Sequence, residues 1–245
     1  MRFEELAHLS EQRGAIQRFV LPGGALSARG ARELAAAADS LVEDRSVRAV
    51  VLEARGPEFC SGAGEDLDPL ALGVDPAAAL ARLRPPVVAL IAGPCRSVGL
   101  ELALAADVRL AAPDAVFALD DVAAGRLPCW GGTQRLPRAV GVSLATAMLL
   151  AGRVLDAGAA FGAGLVHAVA DDVGAALAAV VERVLATGPL ALELAKEAVH
   201  RGDELPLRDG LRLEGELNTL LAGSADRAEG LAAFFAKRPP DFAGR

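Results

Sequence analysis

The sequence predicts an α/β fold with mostly buried strands, followed by a helical carboxy-terminal subdomain. Three observations carry this reading. Short apolar runs alternate with alanine-rich helical stretches through the first two-thirds of the chain. The runs VRAVVLEA and VVALIA are near-continuously apolar rather than alternating, the pattern of strands covered on both faces. In the last third helical periodicity takes over, and a composition shift near residue 187 marks a boundary. The expected division is residues 1–187 as the core and 188–245 as a helical subdomain used for assembly.

Residues 15–21 read as a strand and 27–42 as a helix capped by Ser27. Residues 47–54 form an apolar strand that runs into a glycine-containing loop. A short helix over 75–83, a buried strand over 87–92, a helix over 98–106 and a strand over 108–111 continue the rhythm. Helical periodicity then covers 143–151, 156–162, 173–187, 190–201, 207–221 and 225–237, interrupted by one strand at 165–170.

Composition narrows the function. At 245 residues, 53% hydrophobic and 23% charged, the chain can bury a sizeable core. Aromatics are 4% with no tyrosine, so alanine, leucine and valine must build that core. A net charge of −7 with interspersed signs leaves no footprint for nucleic acid. Cys60, Cys95 and Cys129 fit neither a disulfide framework nor a zinc site. With no apolar signal core at the amino terminus and no run long enough to span a bilayer, a soluble cytoplasmic protein is expected, with no membrane partner.

Three segments carry chemistry. In RSVGLELALAA, Ser97 is placed to cap a helix whose first N–H groups, those of Val98, Gly99 and Leu100, have no intrahelical partner. Gly99 permits close approach there, and Glu101 either favours the helix dipole or faces a cleft. In FCSGAGEDL, a turn with Gly62 and Gly64 follows a strand and offers the Ala63 N–H as a second donor; alone, such a turn is weak evidence. Asp120 and Asp121 end a short apolar run, where a solvated turn and a functional pair are both open readings.

Taken together, FCSGAGEDL, PPVVALIAGPCRSVGLELALAADVRLAAPDAVFAL, LPCWGGTQRLPRAVG and AFFAKRPPDFAG resemble, in order, the crotonase superfamily, the enoyl-CoA hydratase/isomerase group. The resemblance implies a crotonase-like spiral of ββα turns with a helical trimerisation tail, assembled as a homotrimer or as a hexamer of two trimers. It implies an acyl thioester of coenzyme A as substrate, with no metal and no other cofactor. It puts the oxyanion donors on the backbone of Ala63 and Val98, and the catalytic carboxylates on Glu101 and Asp121. Ser61, Gly62, Gly64, Asp66, Leu67, Gly99, Trp130 and Lys237 complete the expected substrate and CoA pocket, Trp130 by packing behind the active-site loop. Arg238 accompanies Lys237 toward the CoA phosphates.

The sequence also departs from that group. Asp121 stands where glutamate is usual and Asp120 where proline is usual, Val98 is bulky for its turn, and residues 67–84 are short. The expected reaction is syn addition of water to a trans-2-enoyl-CoA, or its reverse. Double-bond isomerisation, dehydration of a carrier-protein-bound acyl group and silent acyl-CoA binding are the alternatives. A chain without tyrosine excludes tyrosine-based decarboxylation, and without a GxSxG elbow serine hydrolysis is disfavoured. His167 reads as a strand-end residue, while His8 and His200 carry no signal.

Overall fold

Four successive strand pairs set the architecture of the chain, described over residues 15–245 of a computed structural model. His8 and the charged amino-terminal segment lie outside those residues. The first turn is β1 (Ile16–Leu21), β2 (Ala25–Leu26) and α1 (Ala28–Ser40). The second is β3 (Ala49–Ala54), β4 (Gly62–Ala63) and α2 (Pro76–Ala81). The third is β5 (Val87–Ile91), β6 (Pro94–Arg96) and α3 (Val98–Leu104). The fourth opens with β7 (Val108–Ala111) and β8 (Val116–Ala118), then a 3-10 turn at Asp121–Ala124 and helices α4 (Gly132–Val140) and α5 (Val142–Ala151). Strand β9 (Leu155–Asp156), helix α6 (Ala157–Gly162) and strand β10 (Ala168–Val169) complete the core.

The odd-numbered strands line up in sequence order, β1-β3-β5-β7, with β10 on the edge, as one five-stranded parallel sheet. The even-numbered strands form a second layer. There β2 pairs with β4, β6 with β8, and a parallel bridge from Cys60 to Cys95 connects the two pairs. Each ββα unit therefore advances one strand in both layers, and the path is a spiral, the crotonase fold. β3 and β5 are buried on both sides along most of their length, which is why their sequences run apolar without alternation.

Helix α1 shows how local signals fix an element. Ser27 is extended (φ −81°, ψ 158°), and its Oγ accepts the Gly30 N–H at 3.1 Å. Ala28, Ala31, Leu34, Ala35 and Ala38 form its buried stripe, at the spacing of one helical face. The short strands of the even layer and helix α4 escape sequence patterning, and the strand expected over 165–170 shrinks to Ala168–Val169.

The division of the chain falls inside helix α7 (Val173–Ala186). One compact unit covers residues 15–83 and 87–179 among those described, and a second covers 84–86 and 180–245. The second unit holds helices α8 (Pro189–Gly202), α9 (Leu207–Ala222) and α10 (Ala225–Ala236). In it the buried Asp226 accepts N–H bonds from Ala243 and Gly244. Leu207, Phe234 and Phe235 of this unit are exposed. No single helix among the described residues is long and apolar enough to cross a membrane.

The spiral's corners stack on backbone. Phe59 N–H donates to Ala92 C=O, and Val116 N–H to Gly93 C=O, both at 2.9 Å. Gly93 has φ +56°, and a Cβ there would stand 2.0 Å from the Pro57 carbonyl oxygen. Gly93→Ala must therefore push successive turns apart as well as adopt a left-handed conformation. The expected loss is about 3 kcal/mol of unfolding free energy, read from urea denaturation.

Candidate active site

Parallel register between β6 and β8 builds the acidic side of the site. Pro94, Cys95 and Arg96 pair with Val116, Phe117 and Ala118, and Ser97 N–H continues the ladder to Ala118 C=O at 3.1 Å. Neighbouring side chains on a strand diverge, so Arg96 and Ser97 take different partners beyond it. Arg96 pairs with the half-exposed Asp120. Ser97 Oγ donates to Asp121 Oδ1 at 2.5 Å, inside the protein. Of the two aspartates, Asp121 is thus the one turned inward, at 5% exposure. Its other oxygen, Oδ2, is buried with no hydrogen-bond partner among the described residues, and Arg126 Nε lies 3.9 Å from Oδ1.

The expected capping by Ser97 is corrected here. Ser97 occupies the position before α3 but makes no side-chain cap bond. Its backbone lies at φ 50°, ψ −126°, and its hydroxyl goes to Asp121 instead.

Glu101 lies one turn into α3, at 1% exposure. Its Oε1 accepts two backbone N–H bonds, from Trp130 and Gly132, each 2.8 Å. Gly132 is the first residue of α4, so the carboxylate sits at the positive end of that helix. Burial pushes the Glu101 carboxyl up to about 7, opposed by those two hydrogen bonds and reinforced by the charges of Asp121 and Asp75. A carboxyl poised there exchanges protons readily near neutral pH.

Two turns carry outward N–H groups. Gly64 N–H donates to Leu26 C=O at 2.7 Å across the β2–β4 pair; successive N–H groups of a strand alternate, so that of Ala63 points away from β2. In α3 the ladder begins with Glu101 N–H to Ser97 C=O at 3.1 Å, which leaves the N–H groups of Val98, Gly99 and Leu100 ahead of it. The turns adjoin, because a Cβ on Gly62 would lie 3.6 Å from the Ser97 Cβ.

Several expected pocket residues make structural contacts of their own. Gly99 does permit a close approach, but to Cys60: a Cβ on it would stand 2.5 Å from the Cys60 Cβ. One Asp66 oxygen accepts the Ala28 N–H at 3.2 Å, bracing the turn against the start of α1. Leu67 is part of the hydrophobic core. Ser61 is exposed, with its N–H bonded to Gly24 C=O. Trp130 is buried, serves Glu101 through its backbone, and keeps an unpartnered Nε1. Lys237 is exposed in the second unit, and Arg238 there is held by both oxygens of Glu229.

Other titratable groups find structural explanations. His167 Nδ1 accepts the Arg109 N–H at 3.0 Å, tying β7 to the residue before β10, and burial lowers its pKa. Cys60 and Cys95 are buried thiols with raised pKa values. Cys129 is exposed, yet partial burial and then the charges of Glu101, Asp75, Asp121 and Asp68 push it up to about 11, which makes it a poor nucleophile. No group of three or more His, Cys, Asp or Glu among the described residues could hold a metal ion.

Sequence reasoning missed the two backbone donors to Glu101, the Ser97–Asp121 bond and the Arg96–Asp120 pair. The paired glycines of CWGG, just ahead of TQRL, were the available signal for a helix start at Gly132.

Residues 22–245 match the family described as Enoyl-CoA hydratase/isomerase. The chain is 40% identical over 220 residues to 2,3-dehydroadipyl-CoA hydratase of Escherichia coli (strain K12), covering 84% of this chain and 85% of that one. It is 35% identical over 237 residues to mitochondrial methylglutaconyl-CoA hydratase of Mus musculus, covering 90% and 76%. Its fold matches the crystal structure of an enoyl-CoA hydratase from Bacillus anthracis with a TM-score of 0.86, at 32% identity over 94% of this chain and 96% of that one. The chain belongs to the enoyl-CoA hydratase/isomerase family, in the crotonase superfamily, and is an enzyme of that group.

Burial of Glu101 also links stability to pH. Its folded pKa of about 7 lies above the ordinary 4.5, so the folded chain binds more protons between those values. The contribution of this group to stability is therefore greatest below pH 4.5 and falls as pH rises to 7, by about 3 kcal/mol. Glu101→Gln removes that slope. The variant should melt above the wild type at pH 8, with the difference disappearing near pH 5, in a thermal series across that range.

Proposed function

We propose that the enzyme is an enoyl-CoA hydratase, adding water to a trans-2-enoyl-CoA thioester or removing it in reverse. The observation that carries this is a pair of inward carboxylates, Glu101 and Asp121, each with one oxygen held by protein donors. A water bound between them can be oriented by both. The names of relatives support hydration, and 2,3-dehydroadipyl-CoA and methylglutaconyl-CoA are the first thioesters to try.

In this reading the N–H groups of Ala63 and Val98 receive the thioester oxygen as it gains enolate charge. Glu101 orients the water and takes its proton as the oxygen bonds to C3. Asp121, which shares that water and enters the step protonated, delivers its proton to C2. A proton passed from Glu101 to Asp121 then restores both, so that the net addition is one water. The chemistry needs no metal or redox cofactor. A second reading, double-bond isomerisation, is favoured by one feature: Asp121 Oδ1 is already engaged by Ser97, and shuttling a proton needs only one free carboxylate. We also propose a trimer or a hexamer of two trimers, since exposed Leu207, Phe234 and Phe235 offer apolar surface for assembly.

Purified enzyme should bleach the conjugated absorbance of 2-enoyl-CoA thioesters. Glu101→Gln and Asp121→Asn should each lower kcat by ~10²–10⁴-fold. Formation of conjugation from 3-enoyl-CoA, with no hydration, would establish the isomerase instead. No turnover of either set defeats both readings.

A further inference from the structure

Ser97 is the residue whose conformation least fits its type. At φ 50°, ψ −126° it occupies backbone space that favours glycine, yet it is one of only two described non-glycine residues with positive φ. Such strain persists where the surroundings fix it, and here the surroundings are specific. Ser97 N–H is bonded to Ala118 C=O and its carbonyl accepts the Glu101 N–H. Its side chain, at 5% exposure, makes one hydrogen bond, to Asp121 Oδ1. That bond consumes one oxygen of a buried carboxylate and leaves Oδ2 buried without a partner. Asp121 is also a methylene shorter than a glutamate, so its carboxylate has less reach into the site. A hydroxyl on the adjoining strand end is positioned to fix where that short side chain points.

From this geometry we infer that Ser97 is a positioning residue for the reaction: it holds Asp121 through Oδ1 so that Oδ2 is the oxygen presented to the reactants. The oxyanion turn and the second carboxylate are thereby one mechanical unit. Ser97 supplies the bond to Asp121, and the next residue, Val98, supplies an N–H to the thioester. This inference rests on the two-carboxylate reading of the site.

The test separates hydroxyl from backbone. Ser97→Ala keeps the strained conformation and loses the hydroxyl; Ser97→Gly loses the hydroxyl and relieves the strain. Both variants should lose about 10–100-fold in kcat with little change in KM, because misplacement of a reacting group acts on the transition state. Stability should not follow activity, and Ser97→Gly should melt above Ser97→Ala. Asp121→Glu placed on Ser97→Gly, where the absent hydroxyl leaves room for the longer chain, should recover part of the lost kcat. A thermal cycle of Ser97→Ala, Asp121→Asn and the double variant should be non-additive, and this readout needs no turnover. Additive melting shifts overturn the role of Ser97. So does an active wild type whose two Ser97 variants keep kcat within about twofold, or lose only affinity. A wild type that turns over no thioester, with the thermal cycle still non-additive, overturns the reaction assignment rather than the Ser97–Asp121 couple.

Discussion

A carboxylate at 1% exposure stays useful only if the protein supplies the hydrogen bonds that water no longer can. Glu101 obtains them from Trp130 N–H and Gly132 N–H, groups of a segment some thirty residues downstream. Helix α3 and the head of helix α4 must therefore be placed together before the site exists. This requirement explains the CWGG turn. Its glycines let the chain reverse sharply and start α4 with its N–H groups facing the carboxylate. It also explains the intermediate pKa. Two N–H donors recover part of what burial costs the charged form, and the remainder leaves the group near 7. Fewer donors would keep it protonated through the neutral range, and more would hold it ionised.

The spiral supplies the second carboxylate by register. Because β6 and β8 run parallel with Arg96 opposite Ala118, the residues just beyond each strand end also meet. Arg96 takes Asp120 outward and Ser97 takes Asp121 inward, so two adjacent aspartates are held apart by two different donors. A one-residue slip would exchange them. That register is fixed by the buried sheet behind it, where β3 and β5 are covered on both faces and cannot shift without exposing apolar side chains.

Much of this was legible in the sequence because the strongest signals are chemical periodicities. The apolar runs at 49–54 and 87–91 and the Ser27 cap announce themselves locally. The even-layer strands did not, since two or three residues cannot display a period. Helix α4 was hidden by its opening glycines and its internal Pro137, both poor helix formers held in place by tertiary contact. Among site residues, Glu101 stood out as a charge in an apolar run. Asp66 did not reveal its bracing role, because that depends on the start of α1, 38 residues earlier in the chain. Ser97 was misread for a physical reason: a serine before a helix is ordinarily a cap, and only its positive φ redirects the hydroxyl to Asp121.

Three features that oppose folding lie close together in the chain. Glu101 carries a charge that burial resists, Asp121 keeps a buried oxygen without a partner, and Ser97 holds a conformation suited to glycine. Each would be relieved by a simple substitution, and each lies within residues 97–121, between the start of α3 and the 3-10 turn. Elsewhere in the unit local preference is obeyed at α1 and α2, with their Ser27 and Asp75 caps, and in the continuously buried strands β3 and β5. That contrast is itself an argument about function. Strain of this kind gathered on two carboxylates and the residue joined to one of them is what a site held ready for a reaction requires, and it accords with the proposed roles of Glu101 and Asp121. The hydrophobic core offsets the cost, so the fold's surplus stability is what permits the site to remain poised.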